Sequence, residues 1–319
     1  MTAKRVTRSL PFGLGLSLLL LCGAASAAHA GGALFDAAGA LGANSARGYR
    51  QRIAAARRAD ARSFRVVARL RALLPTLAKQ RRGRGVTVLL PLAALGASGR
   101  WAMADELFFS GAGQGTLDAV AWRGWRVSLL EAIGRLRRAD MAPLLRAAVR
   151  HDDSDARVAR AAVEALGRFG DPSDVDLLVN AATQRGRDAH QLLDALGDCR
   201  RSAMVTRLTK LLATPGHDTP ARLSILKSLG RAGNAYAWRT SAVRKSGEEQ
   251  AVRSAAAKAL IDVYATTTDA SERDRAATSV LVVGWSRTPQ LIAAAKTRHP
   301  QQSESLDSLA KRFARSPVR

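Results

Sequence analysis

Residues able to act as nucleophiles, metal ligands or general bases are sparse in this chain, which has 5 His and 2 Cys among 319 residues. His151, His190, His217 and His299 are scattered, and none falls in a His-Glu-x-x-His or Cys/His spacing that would hold zinc. Ser224-Ile225-Leu226-Lys227 and Lys245-Ser246-Gly247 resemble two motifs of penicillin-binding enzymes, but the motif that should lie between them is absent. The acidic run after His151 reads as helix capping, because carboxylates suit the free amides of a helix start. Residues 110–116 form a Gly-rich loop of the kind that can cradle phosphate, yet no strand precedes it and no Lys-Ser/Thr pair follows. No catalytic residue, metal site or cofactor is assigned on these grounds, and the expectation is a protein that is not an enzyme.

Binding chemistry is better represented. Between Arg47 and Arg84 there are 13 Arg and Lys against the single acid Asp60, a net +12 within a chain of net +24. Read as one helix at 100° per residue, Tyr49, Ile53, Ala56, Phe64, Val67, Leu70 and Leu74 share a face. Arg47, Arg58, Arg62, Arg65 and Arg69 gather on the opposite face, as a basic ridge that would bind anions or as a solvated side of a capping helix. Pro75 is expected to bend or end this helix, and 80–85 to form an exposed linker. A second cluster is Trp122, Arg123, Trp125 and Arg126. Trp and Arg are enriched at binding hot spots, and they serve equally well to fill a wide gap in a core.

The elements that must position these residues are repeats. In 155–183, Val158, Ala162, Val163 and Leu166 recur at helical steps, and Val175, Leu178, Val179 and Ala182 make a second stripe after the turn Gly170-Asp171-Pro172-Ser173. Asp171 or Ser173 is placed to cap the second helix, with Pro172 in its first turn. Gly167 is expected to close the first helix in a left-handed conformation. Equivalent glycines stand at 96, 134, 167, 197 and 230, at intervals of 38, 33, 30 and 33 residues. A further copy, 252–261, places Ile261 where glycine would fall, and the frame is lost before Val283-Gly284, as though one short helix were missing. Periodicity of this length marks stacked helix pairs, since one amphipathic pair cannot bury both its faces.

Paired short helices with a Val-Ala-Arg or Val-Arg-Ser entry, an Ala-Leu-Gly close and a Gly-Asp-Pro turn resemble HEAT-like repeats, closest to the short bacterial, PBS-lyase-type kind, over roughly residues 86–296. That resemblance implies an all-α fold, an α-solenoid of about six HEAT-like helix pairs, elongated or gently curved, and it implies little about chemistry. HEAT-like alkylpurine DNA glycosylases also use solenoid surfaces bearing Arg and Trp. Nucleic-acid binding is therefore the alternative function, although no catalytic carboxylate of that family has a counterpart here.

The first residues indicate where the protein works. Lys4, Arg5 and Arg8 precede an apolar run from Leu10 to Leu21, and small residues lead to Ala28-His29-Ala30. This is the pattern of a secretory signal peptide cleaved after Ala30, the run being short for a membrane-spanning helix. Leu21 breaks the lipoprotein pattern before Cys22, so cleavage would remove Cys22 and leave Cys199 as a lone thiol. The organisation expected is a signal peptide over 1–30, a flexible Gly/Ala-rich lead-in over 31–46, a basic amphipathic helix over 47–84, HEAT-like repeats over 85–298 and a capping helix over 299–319. In that last segment Leu306, Leu309, Ala310 and Phe313 form the inward face. The function expected is a periplasmic or secreted scaffold that binds a protein or an anionic lipid or polymer of the cell envelope.

Overall fold

The computed structural model describes residues 32–316 apart from 36, 82–84, 152, 187 and 188. The proposed signal peptide lies outside the described residues. Every regular element described is helical: α1 (Ala37–Leu41), α2 (Ala43–Ala59), α3 (Ala61–Gln80), α4 (Leu89–Ala93), α5 (Arg100–Phe108), α6 (Ala119–Leu136), α7 (Ala142–Arg150), α8 (Ala156–Phe169) and α9 (Val175–Thr183) in the first half. There follow α10 (Ala189–Ala195), α11 (Ser202–Ala213), α12 (Thr219–Ala232), α13 (Ala235–Trp238), α14 (Ser241–Arg244), α15 (Glu249–Thr266), α16 (Ala270–Val283), α17 (Thr288–Arg298) and α18 (Ser303–Ala314). None is long and apolar enough to cross a membrane.

The helices form two layers. First helices of successive repeats touch in the order α4, α6, α8, α10, α12, α16, and second helices in the order α7, α9, α11, α15, α17. With α5, which packs on α6, this makes six helix pairs among the described residues. The stripes set by sequence spacing are the buried ones: Val158, Ala162, Val163 and Leu166 on α8, and Val175, Leu178, Val179 and Ala182 on α9. Burying a leucine such as Leu166 or Leu178 completely contributes about 2 kcal/mol each, so the shared interior is what makes single pairs depend on their neighbours. Asp155 caps α8 by accepting from the Arg157 amide at 3.0 Å, and Asp171 accepts from the Ser173 amide at 3.0 Å in the turn before α9. At the far end Leu306, Leu309 and Phe313 are buried on α18, which lies against α16 and α17.

Several expectations are corrected. The repeated glycine is a contact point and, in most copies, not a helix stop. Helix α8 runs on to Phe169, and it is Gly170 that takes the left-handed φ of 71°. A Cβ on Gly134 would lie 2.6 Å from the Ala165 Cα, on Gly197 2.4 Å from the Ser228 carbonyl oxygen, and on Gly230 2.9 Å from the Ser279 Cβ. At these three copies one repeat therefore touches the next through the space of a missing side chain, whereas Gly96 has nothing within 4 Å of that position. Gly167 is the looser case, with the Cys199 amide nitrogen 3.1 Å away.

The segment 252–261 belongs to α15, which follows α11 in the second layer. The next first helix is α16, packed on α12 and closed by Gly284 at φ 52°. The broken frame therefore reflects an insertion, α13 and α14, rather than a lost helix. Both layers are amphipathic, so hydrophobic spacing alone does not tell one from the other.

At the N-terminal side, the lead-in expected to be flexible is packed: Leu34, Phe35 and Ala37 are buried, and the Ala33 and Leu34 amides donate to the carbonyls of Glu106 and Leu107 at 3.0 and 2.9 Å. Its small residues fit against α5 where larger ones would collide. The basic segment is two helices rather than one. Asp60, at φ −138° and ψ 61°, ends α2 and caps α3, accepting from the Ser63 amide at 3.1 Å and its hydroxyl at 2.6 Å. Pro75 lies inside α3, which continues to Gln80. An interior proline costs about 3 kcal/mol, opposed here by a helix face holding fully buried Leu74 and half-buried Leu77.

Candidate anion-binding interface

The apolar sides of α2 and α3 face α5 and α6. Tyr49 and Ile53 are buried on α2, and the Tyr49 ring meets those of Trp101 and Phe109 at centroid distances of 6.2 and 5.9 Å. Its hydroxyl donates to the Asp140 carbonyl oxygen at 2.8 Å, and burial raises its pKa. On α3, Val67 and Leu74 are buried while Phe64 and Leu70 are partly so. Two arginines not singled out by sequence fasten these helices. Arg57 pairs with Asp105 and lies 4.4 Å from the Phe64 ring centroid. Arg71 pairs with Glu106 at 2.6 Å.

Arg47, Arg58, Arg62, Arg65 and Arg69 are all exposed. None of these side chains has a hydrogen bond or ion pair among the described residues. Arg62 adds weakly to the lowering of the Asp60 carboxyl, whose main cause is the pair of hydrogen bonds from Ser63. The break at Asp60 divides the five between two helices, Arg47 and Arg58 on α2 and the other three on α3. A single straight ridge is therefore corrected to two adjoining rows.

The tryptophan cluster has a different fate. Trp125 is fully buried and its indole donates to Glu106 Oε1 at 3.1 Å. Trp122 is half-buried, with the guanidinium carbons of Arg71 and Arg126 each 5.3 Å from its ring centroid. Arg126 pairs with Asp153 at 2.5 Å, and Arg123 pairs with Asp155. Gly124 between them lets the Val86 carbonyl approach within 2.2 Å of where a Cβ would stand. The cluster is a joint between α3, α6 and the start of α8, with its charges already neutralised.

Pairing of this kind continues along the repeats. Arg146 on α7 holds Asp174 at 2.6 Å and Asp171 at 2.9 Å, and Arg160 on α8 holds Asp194 at 2.6 Å. Asp198 collects Arg168 at 3.0 Å and Arg231 at 3.1 Å. Burial works to raise the Asp198 pKa, but Arg231, Arg168 and Arg200 outweigh it and hold the carboxyl below its ordinary value. Hydrogen bonding to Asp174 raises Arg146 above its usual range. Lys227, part of the apparent enzyme motif, is paired with Asp194 at 3.1 Å. Cys199 is buried, and desolvation pushes its thiol up to about 12, so it has no reactive thiolate. Among the described residues no three His, Cys, Asp or Glu side chains converge as a metal would require.

Residues 125–197, from the middle of α6 to the turn after α10, match the family model of HEAT repeats. No curated protein matches the chain. The matched segment is thus similar to HEAT repeats, and the layered helix pairs continue the same arrangement on either side of it.

Proposed function

We propose that this chain is an exported, non-enzymatic scaffold that holds an anionic protein, lipid or polymer of the cell envelope on the arginine rows of α2 and α3. HEAT repeats generally mediate protein interaction or scaffolding, which supplies the broad class. The observation that carries the specific reading is the exposure of Arg47, Arg58, Arg62, Arg65 and Arg69 with no carboxylate partner, in contrast to repeat arginines such as Arg126, Arg146 and Arg160, which are paired. Exposed guanidiniums of this kind attract anions over a Debye length and can grip phosphate or carboxylate through two N–H groups.

Export rests on the charged, apolar and small-residue order of 1–30. Nucleic acid is the weaker partner, because single-stranded sites interleave cations with exposed aromatic platforms. Here Tyr49 is buried, and Phe64 lies under Arg57.

The test is retention on vesicles containing anionic lipid and on an acidic glycan, with single-stranded DNA as comparison, across a salt series. Changing Arg58, Arg62, Arg65 and Arg69 to Gln should abolish low-salt retention while helicity stays unchanged. Undiminished retention by that variant would reduce the rows to a solvated surface. Cell fractionation with sequencing of the mature N-terminus addresses export: a start at Gly31 in the envelope fraction supports it, and an intact Met1 in the cytoplasm opposes it.

A further inference from the structure

The chain departs once from two helices per repeat, at the insertion α13–α14, and that insertion covers a cluster of arginines. A cavity of about 40 Å3 is walled by Arg137, Arg168, Arg200, Arg201 and Asp198 and roofed in part by Val243 and Ser246. It draws on three successive repeats, since Arg137 ends α6, Arg168 is in the last turn of α8, and Arg200 lies between α10 and α11. Its carboxylate, Asp198, is paired with Arg168 at 3.0 Å and Arg200 at 3.3 Å and, from outside the lining, with Arg231 at 3.1 Å.

Helix capping accounts for only part of this. Arg201 donates to the Gly170 carbonyl at the end of α8 and pairs with Glu248 at 3.0 Å. Arg200 reaches the Asp198 carbonyl at 3.2 Å and its carboxylate at 3.3 Å, which leaves its Nε buried without a partner. Arg168, which pairs with Glu164 at 3.3 Å as well as with Asp198, likewise has Nη1 buried and unpartnered. The Arg137 side chain makes no hydrogen bond or ion pair among the described residues, although the residue is half-buried. It is also the one non-glycine residue described with positive φ, at 48°. Burial lowers the Arg137 pKa first, and repulsion from Arg200 and Arg168 lowers it further. An unpaired guanidinium beside unmet N–H groups, partly removed from water, is unfavourable unless an anion joins it.

We propose that this cavity binds a tetrahedral oxyanion, as inorganic phosphate or sulfate or as the terminal phosphoryl group of a larger ligand, through Arg137, Arg168 and Arg200. Its volume corresponds to roughly three water-sized positions, which suits the oxygens of one such group and excludes a base or sugar. Planar guanidiniums donating from several sides match that geometry better than ammonium groups would. Arg137, free of internal partners, is the residue able to close on the ligand without breaking a contact.

Titration calorimetry of the full chain with inorganic phosphate, at constant ionic strength set by chloride, tests this. One saturable site is expected. Arg137→Gln should weaken it at least tenfold, and Arg137→Lys should recover most of the loss, both variants keeping parental helicity by circular dichroism. The four-arginine variant of α2 and α3 should bind phosphate as the parent does, which separates this site from the interface proposed above. Phenyl phosphate binding with equal affinity would assign a phosphoryl terminus, and its failure beside intact phosphate binding would assign the free ion. Absence of saturable phosphate binding, equal binding by Arg137→Gln, or loss in the α2–α3 variant would overturn the proposal.

Discussion

Arg62, Arg65 and Arg69 stand on the surface of α3 with no carboxylate paired to them, whereas Arg146, Arg160 and Arg168 each reach an aspartate of the following repeat. The side chain is the same and the surroundings are opposite. In the repeats, arginine is a strut: its guanidinium crosses an inter-repeat gap, and the aspartate it meets is almost wholly buried, as with Asp174 at 3% and Asp194 at 4% exposure. On α3 those three fasten nothing, although Arg71 of the same helix holds Glu106 at 2.6 Å. An abundance of arginine therefore says little about function until its partners are known, and the difference should be visible in stability.

The largest effect is expected at Asp198. Replacing it with Ala leaves Arg168, Arg200 and Arg231 facing one another, and a buried pair broken on one side typically costs about 3 kcal/mol or more, measurable as a lower urea midpoint. Because the folded pKa lies below the ordinary 3.8, the stabilisation from Asp198 is present above that value and is lost as pH falls toward the folded pKa. Acid unfolding of Asp198→Asn should consequently show a shallower dependence below pH 3.8 than the parent. A parental acid profile would show that the strut description is mistaken.

Next in size is the contact beside the struts. Gly197→Ala forces a Cβ to within 2.4 Å of the Ser228 carbonyl oxygen, and overpacking against backbone costs on the order of 1–3 kcal/mol. Gly167→Ala, with 3.1 Å to the Cys199 nitrogen, should cost distinctly less. Equal losses in thermal melts would mean that the glycines do not set the repeat spacing.

Arg137 belongs to neither group. Without an anion present, Arg137→Gly should raise stability by about 1 kcal/mol, by relieving a left-handed backbone that glycine adopts freely. The smallest effect is reserved for Arg58, Arg62, Arg65 and Arg69: their change to Gln should move the unfolding free energy by no more than about 0.5 kcal/mol, as for surface sites generally. A large loss there would make struts of the α3 arginines too.

Much of the architecture was legible because stacking imposes spacing: the Ala-Leu-Gly endings and the stripes of α8 and α9 follow from one helix resting on the next. What spacing does not carry is the identity of the neighbour. The role of Gly134 or Gly197 depends on Ala165 and Ser228 in the next repeat, and the assignment of 252–261 depends on which layer its helix joins. The division of the basic segment was signalled locally, by Asp60 three residues before Ser63, but the uninterrupted periodicity of apolar residues concealed it. Trp122 and Trp125 looked alike in sequence, and only tertiary contacts distinguish the buried indole from the one held between two guanidiniums. The arginine cavity was invisible, since Arg137, Arg168 and Arg200 lie some thirty residues apart and meet only through the stack.

Cys199 gives this arrangement a clock. Its thiol is enclosed beside Gly167, at the junction of α8 with the following repeat, and desolvation keeps it protonated with a pKa of about 12. A disulfide reagent can modify it only after that junction has parted. With Cys22 changed to Ser, the labelling rate of Cys199 in native buffer would thus report how often neighbouring repeats separate. If labelling keeps pace with global unfolding, the stack opens as one unit; if it runs ahead, the junction breathes on its own. The same rate, followed with and without phosphate, would show whether filling the nearby arginine cavity closes the joint.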